Sequence, residues 1–139
     1  MVQLIVGSKG DGKTKHLLDR VNSQIKTASG NIVYLDKSAK HMHELNNKVR
    51  LINVKDYPLT NSDEFIGFIC GIISQDYDLE QMYFDSFLKI AHLEGEDISD
   101  TLKQLNQISE QFHVDFCISV SLEEKDLPDF AKEQVIISC

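Results

Sequence analysis

Residues 7–14, which spell GSKGDGKT, have the spacing with the clearest chemical meaning in this chain. They fit G-x-x-x-x-G-K-[ST], in which glycines let the backbone wrap closely around an anion with its N–H groups pointing inward. In such a glycine-rich loop Lys13 reaches the β- and γ-phosphates of a nucleotide, and the Thr14 hydroxyl binds Mg²⁺. The candidate nucleotide-binding residues are Gly7, Ser8, Lys9, Gly10, Asp11, Gly12, Lys13, Thr14 and Lys15.

The residues on either side of this loop predict a strand before it and a helix after it. Residues 3–6 form a short apolar run, which is typical of a buried parallel strand. Beyond the loop, apolar residues recur at helical spacing, at Leu17, Leu18, Val21 and Ile25. Gly30 stands where the C-cap of that helix is expected. The positive end of the helix dipole would then point at the bound phosphates.

With strand, loop and helix in this order, the chain resembles the P-loop NTPase superfamily. The motif at residues 7–14 carries the resemblance, which covers residues 1–30 strongly and the rest of the chain by pattern only. It implies a nucleoside triphosphate as ligand, with Mg²⁺ as its companion ion. ATP is expected in preference to GTP, because the chain has no Asn-Lys-x-Asp guanine-recognition sequence.

A carboxylate for Mg²⁺ is expected at the end of a second apolar strand, the Walker B element of this superfamily. Asp85 ends the apolar run at residues 81–84 and is the predicted metal-holding residue, together with Thr14. Asp36 also ends an apolar strand and is the competing candidate.

The rest of the resemblance points to the RecA-like, additional-strand branch of the superfamily. In that branch a Glu that polarises the attacking water often follows the Walker B Asp, but Ser86 takes that position here. We therefore expect either that hydrolysis is slow or that another acid polarises the attacking water. Glu123 and Glu124 are the candidates, with a solvated surface pair as the alternative.

The same branch uses a polar residue at the end of the neighbouring strand to sense the γ-phosphate. Ser121 or Ser119 could do this, and strand alternation puts both on one face. The catalytic residues predicted are Lys13, Asp85 and Ser121.

Charged residues near the loop carry further expectations. Asp11 would repel phosphate if it pointed inward, so we expect it to face solvent or to pair with a lysine. Lys9 adds positive charge on the γ-phosphate side.

The only arginines are Arg20 and Arg50, which argues against a kinase with an arginine-bearing lid. Any stimulating arginine would then come from a partner.

Two histidines suggest a metal site at first sight. His41 and His43 lie two residues apart on a helix predicted over residues 38–47, so they point to different faces. A structural or surface role is therefore predicted for both.

The composition indicates one ordinary globular domain, residues 1–139. Apolar residues make up 42% and charged residues 26% of the chain, and the net charge of −8 argues against broad nucleic-acid binding. No apolar run is long enough to span a bilayer, and no secretory signal opens the chain. Three widely spaced cysteines indicate neither a disulfide framework nor a zinc site. A cytoplasmic location is expected.

The remaining elements predict the fold class. Strands are expected at residues 31–36, 49–54 (an edge strand), 81–85, 114–121 and 134–138. Helices are expected from residues 60–62 to Ser74, with Gly67 and Gly71 packed on the sheet, and along an apolar stripe at Ile98, Leu102, Leu105, Ile108 and Phe112. This alternation predicts a three-layer α/β/α sandwich with a mostly parallel five- to six-stranded sheet, whose ligand lies at the carboxyl ends of the strands.

These expectations combine into a leading functional hypothesis. It is an ATP-binding P-loop domain with weak or partner-stimulated, Mg²⁺-dependent ATPase activity, working with a protein partner or as a homo-oligomer. Two alternatives stay open: a non-hydrolysing nucleotide-binding module of a larger assembly, and a small-metabolite phosphotransferase. Neither membrane association nor nucleic-acid binding is expected.

Overall fold

Strands and helices alternate along the chain, and the computed structural model describes all of residues 1–139. The strands are β1 (Val2–Val6), β2 (Asn31–Asp36), β3 (Arg50–Asn53), β4 (Leu79–Phe84), β5 (Asp115–Val120) and β6 (Val135–Ser138). The helices are α1 (Lys13–Gln24), α2 (Ser62–Gln75), α3 (Phe87–Ile90), α4 (Ser99–Phe112) and α5 (Asp129–Lys132).

The six strands form one sheet in the order β3-β2-β4-β5-β1-β6, and every neighbouring pair is parallel. Parallel neighbours need crossover connections, which place helices on the faces of the sheet. The predicted three-layer α/β/α architecture is confirmed, with six strands and no antiparallel pair. The predicted edge position of β3 is also confirmed.

Two apolar clusters cover the two faces of the sheet. Successive residues of β1 alternate between them, since Leu4 and Val6 belong to one cluster and Ile5 to the other. Ile5 packs with Leu17 and Val21 of α1 in the smaller cluster. The larger cluster contains the buried apolar residues of α2, α3, α4 and α5.

Strand register brings several polar residues to one edge of the sheet. Leu35 of β2 pairs with Phe84 of β4, and Phe84 pairs with Ile118 of β5. The next residues along these strands are Asp36, Asp85 and Ser119. They therefore stand side by side at the carboxyl edge, where the strand order also brings the loop after β1.

Residues 38–47 do not form the helix that their polar pattern predicted. They run through turns and a short 3₁₀ helix, Met42–Glu44. Leu45 is the only buried side chain in this segment, so a helix here would have no apolar face to pack.

The predicted roles of three glycines were wrong. Helix α1 ends at Gln24, and Gly30 lies in the turn before β2, where a Cβ would collide with the Asp78 carbonyl oxygen. Gly67 and Gly71 lie on the exposed side of α2, and a Cβ at either would meet no atom within 4 Å. They therefore make no close contact with the sheet.

Two helix predictions had mixed outcomes. The start of α2 is capped as predicted, because the Asn61 side chain accepts a hydrogen bond from the Glu64 amide at 2.8 Å. The apolar stripe of α4 is buried from Leu102 to Ile108, but Phe112 at its end is 46% exposed.

None of the helices combines the length and the apolar character that crossing a bilayer requires.

Candidate anion-binding cavity

A cavity of about 590 Å³ opens at the carboxyl edge of the sheet. Four parts of the chain form its wall: the glycine-rich loop, the segment after β2, the ends of β4 and β5, and the segment from α3 to Gly95. The lining residues are Lys9, Gly10, Gly12, Lys13, Thr14, Lys37, Lys40, His41, Asp85, Ser86, Leu88, Lys89, Glu94, Gly95, Ser119, Ser121 and Leu122. Its size is within the range of small-molecule sites.

The glycine-rich loop uses backbone conformations that favour glycine. Gly7, Gly10 and Gly12 have φ values of +152°, +89° and +88°. Gly7 is also crowded, because a Cβ there would lie 2.8 Å from Cβ of Cys139. The spacing of glycines in the motif therefore matches the positions where side chains are disfavoured.

Helix α1 begins at Lys13, directly after the loop. No side chain caps this helix, since its N-cap is Gly12, so the first-turn amides have no partner within the helix and no side-chain acceptor at its end. Lys13 is only 7% exposed, and its Nζ donates a 2.9 Å hydrogen bond to the Ser8 carbonyl oxygen. The lysine thus lies across the loop and brings a positive charge to the cavity wall.

The other charged residues of the loop lie farther out. Asp11 is exposed, as expected, but it bonds to the loop itself and not to a lysine: its Oδ2 accepts a 2.9 Å hydrogen bond from the Ser8 amide. Lys9 lines the cavity. Lys15 does not, because it lies on the outer surface of α1 and pairs with Asp19 at 3.3 Å.

Asp85 is the centre of a hydroxyl network. Its carboxylate is 2% exposed and accepts hydrogen bonds at Oδ1 from Thr14 at 3.1 Å and from Ser119 at 3.3 Å. Oδ2 accepts a 2.7 Å bond from the Tyr34 hydroxyl. Burial, and then the Asp85 charge, raise the pKa of Tyr34 above its ordinary value, so the phenol keeps the proton that it donates.

Asp36 lies next to Asp85 and is equally buried, at 2% exposure. Its Oδ1 accepts a 2.7 Å hydrogen bond from the Lys37 amide, whereas its Oδ2 is buried and accepts none from the protein. Burial, and then the nearby Asp85 charge, raise the pKa of Asp36 above its ordinary value. The two candidates for the metal-holding carboxylate are therefore neighbours in one site.

The serines at the strand ends have different surroundings. Ser86 has a left-handed backbone (φ 58°), and its amide donates a 3.0 Å hydrogen bond to Oγ of the buried Ser119. Ser121 is half-buried and lines the cavity. Ser119 is thus part of the Asp85 network, while Ser121 presents its side chain at the wall.

Three lysines of the cavity were missed from the sequence, and His41, for which a structural or surface role was predicted, lines the cavity with them. Lys37, Lys40 and His41 follow β2, and Lys89 belongs to α3. For the residues after β2, one signal was available: they come directly after a strand whose carboxyl end was predicted to lie at the site. Nothing in the local pattern singled out Lys89.

The acids proposed as general bases are peripheral. Glu123 and Glu124 are both exposed, and Glu123 receives a 3.4 Å hydrogen bond from Ser8 Oγ and pairs with Lys125 at 3.4 Å. Glu94, which the sequence did not single out, is the one glutamate that lines the cavity.

No protein-family model matches this chain, and no curated protein matches it.

Proposed function

We propose that this chain is a P-loop protein that binds ATP with Mg²⁺ and hydrolyses it slowly, or faster with a protein partner or a second copy of itself. The observation that carries the proposal is the 3.1 Å hydrogen bond from Thr14 Oγ1 to Asp85 Oδ1. These residues are 71 positions apart in the chain, and the sequence predicted both of them for the same Mg²⁺ site.

The donor set of this site suits Mg²⁺. A hydroxyl and a carboxylate oxygen are hard ligands, and Mg²⁺ commonly keeps one or two protein ligands and takes the rest from water and phosphate. Thr14 and Asp85 would hold the ion, which supplies positive charge to the phosphate oxygens when bound. Lys13 would neutralise charge on the β- and γ-phosphates, and the loop amides would position them.

The local charge supports a polyanionic ligand. The chain has a net charge of −8, yet five lysines line the cavity, against the carboxylates of Asp85 and Glu94. These lysines are Lys9, Lys13, Lys37, Lys40 and Lys89. A positive cavity in an acidic protein favours a small anion over a nucleic acid. The lysines after β2 and on α3 also supply cations to a site that has no arginine.

The strand order supports the additional-strand branch. One strand, β5, separates β1, which precedes the loop, from β4, which precedes Asp85. Ser119 and Ser121 at the end of β5 both line the cavity, where a sensor of the γ-phosphate would be expected. Ser121 is the better candidate for contact with the ligand, because Ser119 already bonds to Asp85 and Ser86.

The position after Asp85 supports slow turnover. Ser86 cannot act as the carboxylate base expected there, and Glu123 and Glu124 are exposed. The same observation favours the alternative of a non-hydrolysing nucleotide-binding module. A phosphotransferase is the second alternative, favoured by basic cavity residues beyond the loop, Lys37, Lys40 and Lys89, which could hold an anionic acceptor. A cytoplasmic location is part of the proposal.

Calorimetry with ATP and Mg²⁺ tests the proposal, with Lys13→Ala as the diagnostic variant and Lys26→Ala as its control. Lys26 is exposed beyond the far end of α1. We expect Lys13→Ala to weaken binding by about tenfold or more, because it removes a charge-assisted contact, and Lys26→Ala to bind as the wild type does. Wild-type protein that binds no ATP at millimolar concentration would overturn the proposal.

A phosphate-release assay with labelled ATP separates the three activities. Slow release that disappears in Lys13→Ala supports the ATPase. Binding without release supports the non-hydrolysing module, and label that appears on an added acceptor supports the phosphotransferase.

A further inference from the structure

Three side chains with metal-ligating atoms meet beside the cavity, and two of them, His41 and Asp85, line it. One donor atom each from Asp36, His41 and Asp85 lies within 4.8 Å of the other two. Two donors on opposite sides of an ion bound at about 2.1 Å are about 4.2 Å apart, so small side-chain adjustments would bring all three into coordination.

The fold explains why these residues meet. Asp36 and Asp85 follow Leu35 and Phe84, which are paired in neighbouring parallel strands. The chain then turns after β2 instead of continuing as a helix, and this turn brings His41 back over the end of the strand. His43, two residues farther on, is exposed and outside the cluster.

The Asp36 carboxylate points to a bound cation independently of this geometry. The residue is only 2% exposed, and its buried Oδ2 receives no hydrogen bond from any protein group. A buried carboxylate oxygen without a partner is costly, and the neighbouring Asp85 carboxylate adds electrostatic repulsion. A divalent cation between the two would offset both costs.

His41 has the second partner that metal-ligating histidines commonly have. Its Nδ1 contacts the Glu44 carboxylate, so Nε2 is the ring nitrogen without that contact. A carboxylate on the other ring nitrogen is the common second partner of such histidines, because it holds the ring orientation and raises the basicity of the ligating nitrogen.

We propose that Asp36, His41 and Asp85 bind one divalent transition-metal ion, of which Mn²⁺ and Zn²⁺ are examples, more tightly than they bind Mg²⁺. Imidazole nitrogen is a good ligand for first-row transition ions, whereas Mg²⁺ prefers oxygen donors only. Asp85 also belongs to the proposed Mg²⁺ site. Any role of this ion as the cation of the nucleotide site therefore rests on the proposed function. Binding of the metal by three protein donors needs no nucleotide.

Electron paramagnetic resonance of Mn²⁺, with purified protein and no nucleotide, measures the free ion directly. We expect one Mn²⁺ per chain, displaced by Zn²⁺ at lower concentration than by Mg²⁺. His41→Ala weakens Mn²⁺ binding at least tenfold, because loss of even an outer partner of a metal ligand costs roughly 10–100-fold in affinity. His43→Ala is the matched control and keeps wild-type affinity. Asp36→Asn should also weaken Mn²⁺ binding.

Two results would overturn this inference: no Mn²⁺ bound by the wild type at millimolar concentration, or equal affinities in His41→Ala and His43→Ala. Lys13→Ala separates the inference from the proposed function, since it should weaken ATP binding and leave Mn²⁺ binding unchanged. A wild type that binds Mg²⁺ and ATP but not free Mn²⁺ refutes the metal site alone. One that binds Mn²⁺ but no ATP refutes the nucleotide site alone.

Discussion

The hydroxyl of Tyr34 donates a 2.7 Å hydrogen bond to Oδ2 of Asp85, which directly follows the neighbouring strand. Tyr34 is fully buried in the smaller apolar cluster, so the aromatic ring belongs to the core while its hydroxyl bonds to a residue that lines the cavity. The bond holds the Asp85 carboxylate from the side opposite to Thr14 and Ser119, which both bond to Oδ1. The core thus sets the orientation of the carboxylate on which the proposed Mg²⁺ site depends.

Removing this hydroxyl should cost more stability than removing a similar one nearby. Tyr34→Phe should lower the free energy of unfolding by about 1.5–3 kcal/mol, as expected for a hydrogen bond to a charged group. Tyr83 stacks on Tyr34 at 6.5 Å between ring centroids, and its hydroxyl bonds at 2.7 Å to the neutral Gln81 amide. Tyr83→Phe should therefore cost only about 0.5–1.5 kcal/mol. Urea unfolding measures both, and equal losses would contradict a special role for the Tyr34–Asp85 bond.

Two serines at the end of β5, Ser119 and Ser121, are expected to separate stability from turnover. Ser119→Ala leaves the Ser86 amide without its acceptor and should lower the free energy of unfolding by about 1–3 kcal/mol. Ser121→Ala, at the cavity wall, should change stability by less than about 0.5 kcal/mol. On the proposed function it should still slow ATP hydrolysis. Thermal unfolding and phosphate release on both variants check this, and a stable Ser119→Ala would contradict the network.

The first glycine of the loop should be the least replaceable. Gly7→Ala combines a backbone conformation disfavoured for alanine with a Cβ 2.8 Å from Cβ of Cys139, and should cost about 3 kcal/mol. Gly10→Ala is the control, with φ of +89° but open space around its Cβ, and should cost about 1 kcal/mol. The double variant Gly7→Ala/Cys139→Gly should recover part of the loss in urea unfolding. No recovery would mean that crowding is not part of the cost.

Acid should weaken one local interaction at the start of α2. The Thr60 amide and hydroxyl both donate to Glu64 Oε1, at 2.6 and 2.8 Å, and they lower the pKa of Glu64 below its ordinary 4.5. Because the pKa of Glu64 is lower in the folded state than in the unfolded state, the ionised side chain stabilises the protein above pH 4.5. This contribution is lost as the pH falls through the folded-state pKa. The wild type should therefore exceed Glu64→Gln in stability at pH 7, with the difference shrinking in acid.

Denaturant unfolding between pH 7 and pH 3 measures this effect. Asp63→Asn is the control, because it removes a charge from the same helical turn and Asp63 makes no hydrogen bond to Thr60. The stability difference between Asp63→Asn and the wild type should therefore depend less on pH. A pH-independent gap between the wild type and Glu64→Gln would contradict the interpretation.

The sequence predicted the elements well where the pattern was local and strong. Strand β2 was predicted at the residues that form it, and the glycines of the loop adopt the backbone conformations that their spacing indicated. The prediction failed at residues 38–47, where a polar segment of moderate helical propensity has no apolar face to pack. It also failed at Gly67 and Gly71, because spacing alone does not say which side of a helix faces the sheet.

What the sequence determined by itself is the order strand, glycine-rich loop, helix, and the presence of an acid at the end of a buried strand. Those features depend on neighbours in the chain and on the periods of helix and strand, which a single sequence displays. Only the tertiary structure decided that Asp36, His41 and Asp85 share one site, that Tyr34 supports it from the core, and that Lys89 lines the cavity. Contacts between distant segments depend on which strands become neighbours and how connections pack across the sheet, and local residue patterns do not encode that lateral order.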